Sequence, residues 1–206
     1  DIPVFIKEGF EADDLIATIA TLAGNQNKDI KIYILTGDLD TLQLVSDRVN
    51  IYTLGRGIKD TVIYDREKVI ERLEITPEQV VDFKSLTGDP SDNIPGVHGI
   101  GKKTAADLLN KFGTLEKIYS VIDDKNVNIK ERTRGLLSED RKKAFTAKSL
   151  VQVKKDVDVD FNLKNCQFDF KDQKAEQILR KLDFNSLISK FPSLRNVVIK
   201  ENSRLF

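Results

Sequence analysis

Apolar positions in the first third of the chain alternate between strand-like and helix-like spacing. Residues 2–6 (IPVFI) and 30–35 (IKIYIL) are short β-rich runs, and the second is typical of a buried parallel strand. Between them, residues 11–24 carry apolar side chains at helical spacing, and a further helix is expected to begin within residues 38–46 (DLDTLQLVS). This strand–helix–strand–helix order predicts an α/β sheet.

The pattern then changes from a hairpin to a helical region. Residues 49–54 and 61–64 flank a turn around Gly55 and Gly57 and predict a β-hairpin. From Asp65 onward the pattern is mostly helical, and Thr76-Pro77 marks the start of one helix. Further helices are predicted over residues 102–112, 114–122, 128–136, 139–150 and 172–191. Residues 151–159 are predicted to be extended. We therefore expect the middle of the chain to be a helical subdomain.

Composition excludes several classes of protein. The 206 residues are 40% hydrophobic and 32% charged, and no apolar run approaches the ~20 residues of a membrane span. Cys166 is the single cysteine, which excludes an internal disulfide framework and fits a reducing compartment. His98 is the single histidine, so a His-rich zinc site and a Ser-His-Asp triad elsewhere are both excluded.

The net charge is zero, but the charges are unevenly distributed. Residues 1–97 carry 18 acidic and 10 basic side chains, a net of −8, whereas residues 98–148 carry 7 and 12, a net of +5. Residues 149–206 carry 8 and 11, a net of +3. This division suggests cation binding in the first half and polyanion binding in the second, although ordinary scatter of solvated charges would look the same.

Seven acidic side chains fall into three clusters. They are Glu11, Asp13 and Asp14; Asp38 and Asp40; and Asp89 and Asp92. The first cluster begins a helix, the second follows the carboxyl end of the buried strand, and the third lies in a proline-containing loop; each alone is explained by capping or turn chemistry. Together they offer oxygen-only ligation, which suits Mg²⁺ or Mn²⁺, and a two-metal site of this kind can hydrolyse a phosphodiester.

A glycine-rich turn follows the third acidic cluster. Its residues are Gly96, Val97, His98, Gly99, Ile100, Gly101, Lys102, Lys103 and Thr104. Glycines open the backbone at the start of a helix, the amides there can face a phosphate, and the lysines add positive charge. The pattern predicts a helix-hairpin-helix that binds the nucleic-acid backbone without base specificity, and the alternative is a plain tight turn with a capping glycine.

Three motifs together resemble a known family. EADDL (11–15), ILTGDLDTLQLV (34–45) and LTGDPSDNIPGVHGIGKKTA (86–105) resemble, in order and spacing, the 5′ nuclease domain of bacterial DNA polymerase I, with flap endonucleases as more distant relatives. The resemblance covers about residues 2–191. It implies a PIN-like, mostly parallel sheet with flanking helices and a helix-hairpin-helix subdomain.

The resemblance also implies a function and its site. It implies a Mg²⁺-dependent (or Mn²⁺-dependent), structure-specific 5′-3′ exonuclease or flap endonuclease that uses two or more ions to remove primers and flaps in replication and repair. Glu11 and Asp13 are expected near a first metal, and Asp38, Asp40 and Asp92 near a second. Asp14 and Asp89 match the same motifs.

Further partners follow from the same resemblance. Family members often hold K⁺ through hairpin backbone carbonyls, here those of Val97 and Ile100. DNA is the expected substrate, covalently linked polymerase domains are expected partners, and the expected location is the bacterial cytoplasm.

Domain boundaries are expected at three places. Residues 1–75 are expected to form the C-terminal part of the nuclease core and 76–150 the helix-hairpin-helix subdomain. Residues 151–191 are expected to contribute a strand and helices that pack on the core, and 192–206 a linker.

Two other functions stay open at this point. The family's first acidic strand, a second acidic strand end and its helical arch would precede Asp1, so we expect a truncated chain with impaired cleavage, or a DNA-binding module without catalysis. Alternatively, Asp38 and Asp40 resemble the opening motif of haloacid-dehalogenase phosphatases, as nucleophile and general acid/base.

Overall fold

A computed structural model describes residues 2–54, 61–167, 173–184 and 186. Backbone contacts divide the chain into two units, one of residues 5–161 and one of residues 1–4 with 162–206. The first unit contains the sheet, seven α-helices and all the predicted site residues. None of the helices in the described ranges is long and apolar enough to cross a membrane.

A three-stranded sheet lies in the larger unit. Its strands are β1 (Ile32–Leu35), β2 (Val49–Leu54) and β3 (Thr61–Tyr64), in the order β1-β2-β3. β1 pairs with β2 in parallel and β2 with β3 in antiparallel register, so the predicted hairpin is confirmed. Its predicted turn at Gly55 and Gly57 falls outside the described residues.

The helices follow the predicted order. In the larger unit they are α1 (Ala12–Gln26), α2 (Arg66–Leu73), α3 (Val80–Thr87), α4 (Lys102–Phe112), α5 (Leu115–Val121), α6 (Glu131–Glu139) and α7 (Arg141–Val151), and the smaller unit contains α8 (Gln173–Lys181). Short 3₁₀ helices span Leu39–Leu44, Pro77–Gln79 and Leu163–Cys166. The Thr76 N–H donates to the Gln79 side chain at 3.0 Å. This bond caps the helix start that was predicted at Thr76-Pro77.

Three local predictions were wrong, at residues 2–6, 38–46 and 128–136. Residues 2–6 form no strand: their alternation is real, but Ile2, Val4 and Ile6 are exposed and no ladder pairs them. The segment predicted to be extended, residues 151–159, differs only at its start: Val151 ends α7, and residues 152–159 belong to no helix or strand. The helix expected in residues 38–46 is a 3₁₀ helix, and α6 begins three residues later than predicted. Periodicity finds apolar faces, whereas pairing depends on a partner elsewhere in the chain.

One hydrophobic core connects the sheet to the helical region. Ile34, Ile51 and Tyr64 pack on the buried face of the sheet, and Leu86 of α3 and Leu109 of α4 belong to the same cluster. Helix α3 contacts α4, α5 and α7, and it also contacts the 3₁₀ helix that follows β1. Its carboxyl end therefore lies between the sheet edge and the glycine turn, where the acidic loop begins.

Candidate metal centre and nucleic-acid interface

Three carboxylates from two distant segments converge beside α3. Asp40, Asp89 and Asp92 each offer an oxygen, and these oxygens all lie within 4.8 Å of one another. Asp40 comes from the 3₁₀ helix after β1, and the other two from the loop after α3. Oxygen donors at this spacing fit a hard divalent cation such as Mg²⁺ or Mn²⁺, which prefers carboxylate and water ligands.

A lysine lies between two of these carboxylates. Lys84 of α3 donates from Nζ to Asp40 Oδ1 and, at 2.6 Å, to Asp89 Oδ2. Burial acts to raise the pKa of Asp89, but hydrogen bonds from Lys84 and Ser91 outweigh it and hold that pKa below its usual value. At Asp40, burial outweighs Lys84, and the pKa lies above its usual value.

The charges of the second acidic cluster raise the pKa of a residue in the first. Burial, followed by the negative charges of Asp38 and Asp40, raises the pKa of Asp13 to about 6. The same negative charges repel the ionised carboxylate of Asp13, and a bound cation would relieve this repulsion.

The remaining acidic residues hold the backbone around the cluster. Asp38 Oδ1 accepts the Asp40 N–H at 2.8 Å and so orients the residue that supplies a ligand oxygen. Asp14 Oδ1 accepts the Lys154 N–H at 2.8 Å, and Asp14 Oδ2 accepts the N–H of Glu11 at 3.4 Å. Glu11, Asp13, Asp14 and Asp38 do not belong to the trio of Asp40, Asp89 and Asp92; Asp38 contacts it through the Asp40 N–H, and Asp13 interacts electrostatically with Asp40.

The glycine turn is built as the sequence predicts. Val97 and Ile100 are buried in the core, and the Ile100 N–H donates to the Val97 carbonyl at 3.1 Å. Gly99 has φ +78°, a left-handed conformation that favours glycine. Gly101 precedes α4, whose first amide groups have no partner within the helix. The turn therefore presents backbone N–H groups next to Lys102 and Lys103.

An aspartate from the α6–α7 junction fixes the turn. Asp140 Oδ2 accepts the His98 N–H at 2.8 Å, and Asp140 Oδ1 contacts Lys143 Nζ at 2.6 Å. Hydrogen bonds from Lys143 and then from the His98 amide lower the pKa of Asp140. The His98 amide is thus engaged within the protein, while its imidazole is exposed.

Two glycines join the acidic loop to the turn. Gly88 and Gly96 approach so closely that a Cβ on Gly88 would lie 2.6 Å from the Gly96 nitrogen, and a Cβ on Gly96 2.6 Å from the Leu86 oxygen. Asp89 and Ile94 exchange two backbone hydrogen bonds of 2.8 Å across the loop. Acidic loop and glycine turn are therefore one folded segment.

A cleft of about 550 Å³ brings the two charge types together. Its lining includes Asp38, Asp40, Lys84, Asp89 and Lys102. The first lysine of the glycine turn thus faces the same space as the carboxylates.

Sequence reasoning missed several residues of this region. Lys84, Ser91 and Asp140 were not singled out, although all three hold a predicted element in place. The position of Lys84 was indicated only weakly, by a charged residue one helical turn after Val80, which is buried. Nothing in the sequence indicated Asp140, because its partner His98 is 42 residues away in the chain.

Two family models match consecutive parts of the chain. Residues 1–74 match the family model described as the 5′-3′ exonuclease N-terminal resolvase-like domain, and residues 75–174 match that of the 5′-3′ exonuclease C-terminal SAM fold. The chain therefore belongs to the 5′-3′ exonuclease family.

The relatives found by sequence are bacterial DNA polymerases I. The chain is 39% identical to that of Bacillus caldotenax over 194 residues, which covers 93% of this chain and 21% of the relative. It is 44% identical to that of Mycobacterium bovis over 122 residues, which covers 59% of this chain and 13% of the relative. The chain spans about a fifth of the length of the first relatives it matches.

Solved structures of a bacteriophage nuclease share the fold. T5 5′-exonuclease with divalent metal ions (zinc) bound matches with a TM-score of 0.61 and 27% identity, over 72% of this chain and 52% of that one. The T5 flap endonuclease in a pseudo-enzyme–product complex with DNA and metal ions matches equally well. The phosphatase interpretation of Asp38 and Asp40 is therefore wrong, and a helix, α3, leads into the third motif where that class needs a strand.

Proposed function

We propose that this chain is the 5′ nuclease region of a bacterial DNA polymerase I-type protein and acts on 5′ ends and flaps of DNA. The observation that carries the proposal is the convergence of Asp40, Asp89 and Asp92, because Asp40 and Asp89 line a cleft that Lys102 also lines. Family membership supports it, and so do related structures described with metal ions and DNA.

The proposed cofactor is Mg²⁺ or Mn²⁺, with two or more ions. Asp40, Asp89 and Asp92 would hold an ion, and Glu11, Asp13, Asp14 and Asp38 would bind or orient further ligands around it. Such an ion lowers the pKa of bound water and stabilises charge on a phosphodiester. The protein's own contribution is to orient Asp40 through Asp38 and to hold Asp89 through Ser91.

The glycine turn is proposed to hold the DNA backbone. Lys102 and Lys103 supply positive charge at the start of α4, and the first amide groups of α4 supply N–H donors; the whole turn from Gly96 to Thr104 is proposed to contact the DNA. A K⁺ ion would be held through the carbonyls of Val97 and Ile100. Contacts of this kind fix the position of a duplex without reading its sequence.

The wider assignment rests on the relatives. We propose that the chain divides into residues 1–75, 76–150, 151–191 and 192–206. We also propose that polymerase domains belong to the same polypeptide, because the relatives are about five times longer than the matched segment. The proposed place of action is the bacterial cytoplasm.

Cleavage of a labelled 5′-flap duplex during a Mg²⁺ titration tests the function. The assay compares this chain with the same chain carrying Asp38→Asn with Asp92→Asn. We expect Mg²⁺-dependent cleavage by the unsubstituted chain and a loss of at least about 1,000-fold in the double variant. Unchanged cleavage by the double variant would show that the metal assignment is wrong.

A further inference from the structure

Lys84 contacts two of the three carboxylates that an ion would need. Asp89 Oδ1 is already occupied by Ser91, whose backbone N–H donates to it at 3.0 Å and whose hydroxyl also contacts it. The oxygen that Asp89 has left is Oδ2, and Lys84 Nζ holds it at 2.6 Å. At Asp40, Lys84 Nζ contacts Oδ1.

The ammonium group of Lys84 and a divalent cation compete for these carboxylates, so each weakens the binding of the other. Both are drawn to the same negative charge, they repel each other, and the side chain of Lys84 is only 19% exposed, so water screens that repulsion weakly. A lysine also has a flexible four-carbon stem that lets the charge move several ångströms while the backbone stays in place. Lys84 is therefore positioned both to occupy the carboxylates and to leave them.

We propose that Lys84 is a displaceable internal counter-cation that stabilises the carboxylate cluster without a divalent ion and lowers the affinity of the cluster for one. The inference rests on the metal site of the proposed function and adds a residue that sets the strength of that site. Lys84 is a positioning residue: its ammonium withdraws from Asp40 and Asp89 as the ion binds.

A second lysine in the same unit provides a matched control. Lys148 Nζ also bridges two carboxylates, Asp82 Oδ1 at 2.7 Å and Glu116 Oε1 at 2.6 Å, and its side chain is 23% exposed. Neither carboxylate belongs to the trio of Asp40, Asp89 and Asp92. Removing Lys148 should lower stability, as removing Lys84 should, but it should not change ion affinity.

A second control separates the effect of direct contact with the carboxylates from the effect of a positive charge in the same cleft. Lys102 lines the same cleft as the trio, but it is exposed, and the structure gives its ammonium no bond to the three carboxylates. Lys84→Arg keeps the charge of Lys84, and Lys84→Gln and Lys84→Met remove it. The comparison of these variants tells whether the ammonium must touch the carboxylates.

Calorimetric titration of this chain with Mn²⁺ tests the inference. We expect Lys84→Met and Lys84→Gln to bind Mn²⁺ on the order of tenfold more tightly than the unsubstituted chain. Lys84→Arg should stay within about threefold, and Lys148→Met and Lys102→Met within about twofold. Equal or weaker binding by both neutral Lys84 variants would overturn the inference, and so would equal tightening by Lys102→Met.

Melting temperature supplies a second readout. Without a divalent ion, Lys84→Met should melt below the unsubstituted chain because the repelling carboxylates lose their counter-charge, and saturating Mn²⁺ should raise its melting temperature by more than it raises that of the unsubstituted chain. An equal rise in both would contradict displacement. If Asp92→Asn abolishes Mn²⁺ binding while Lys84→Met changes nothing, the metal site stands and only the role of Lys84 fails.

Discussion

The acidic cluster and the glycine turn are adjacent but are built in different ways. The cluster is made of the carboxylates of Asp40, Asp89 and Asp92, which come from two distant segments of the chain, and Lys84 of α3 contacts two of them. The turn is made of backbone from one short segment, residues 96–101, anchored by buried Val97 and Ile100. A site of the first kind depends on the whole fold, whereas a site of the second kind depends mainly on local sequence.

Asp13, which senses the charges of Asp38 and Asp40, and Asp140, which fixes the turn, have pKa shifts of opposite sign. Burial and like charges raise the pKa of Asp13 to about 6, whereas ion pairing and a backbone hydrogen bond lower that of Asp140, which fixes the turn. Asp13 is therefore held ionised at a cost to stability, whereas ionised Asp140 contributes stability. Asp89 of the trio resembles Asp140 in this respect, because hydrogen bonds from Lys84 and Ser91 lower its pKa.

Breaking the contact between the two regions should have the largest effect. Gly96→Ala places a Cβ against the backbone of Leu86 to Gly88, and we expect the free energy of unfolding to fall by about 3 kcal/mol or more. Urea denaturation measures the change. Gly101→Ala is the control, because a Cβ there meets no atom within 4 Å, and its effect should stay below about 1 kcal/mol. Equal losses would show that the Gly88–Gly96 contact is not the constraint.

Removing charge from the glycine turn should affect DNA affinity alone. Lys102→Ala with Lys103→Ala should weaken binding to duplex DNA about tenfold and reduce the slope of log affinity against log salt by about 2. Fluorescence anisotropy at several salt concentrations measures both quantities. The control is Lys117→Ala with Lys125→Ala, which removes two exposed lysines outside the turn. An unchanged slope in the first variant would contradict phosphate binding there.

Relieving repulsion in the acidic cluster should stabilise the fold. Asp13 has a raised pKa, so the folded state binds its proton more tightly than the unfolded state, and its charged form lowers stability as pH rises from about 4 through about 6. In EDTA at pH 7, Asp13→Asn should raise the free energy of unfolding by about 1 kcal/mol, after allowance for solvent screening. The gain should vanish near pH 4. Urea denaturation across this range measures it, and a loss of stability at pH 7 would contradict the repulsion.

The structural carboxylate of the turn should show the opposite and smallest effect. Asp140 has a lowered pKa, so its contribution is present above the ordinary pKa of ~3.9 and is lost as pH falls through the lower folded pKa. Asp140→Asn keeps an oxygen for the His98 amide but loses the ion pair with Lys143, so the melting temperature at pH 7 should fall by on the order of 1 °C. The two chains should converge below about pH 3, and a constant difference there would exclude the ion pair as the cause.

The same contrast decides what could be predicted from the sequence. The glycine turn and α4 were predicted to the residue, because Gly99, Gly101 and the cap at Gly113 encode them locally. The acidic motifs were found, but their convergence was not readable from spacing, since Asp40 meets Asp89 only through the packing of α3 against the segment after β1.

Other features depended wholly on tertiary contacts. The bridge from Lys84 to Asp40 spans 44 residues, and that from Asp140 to His98 spans 42. Residues 2–6 have the alternation of a strand, yet that alternation says nothing of a partner, and none pairs with them in the described ranges. Local chemistry was therefore predictable, and pairing at long range was not.

Binding of Mn²⁺ to Asp40→Asn compared with the turn variant Lys102→Ala/Lys103→Ala tests the central claim most directly. If the carboxylate cluster holds the divalent ion and the turn holds DNA, calorimetric titration will show affinity reduced at least tenfold in Asp40→Asn and changed by less than about twofold in the turn variant. Equal Mn²⁺ affinity in Asp40→Asn and the unsubstituted chain would contradict it.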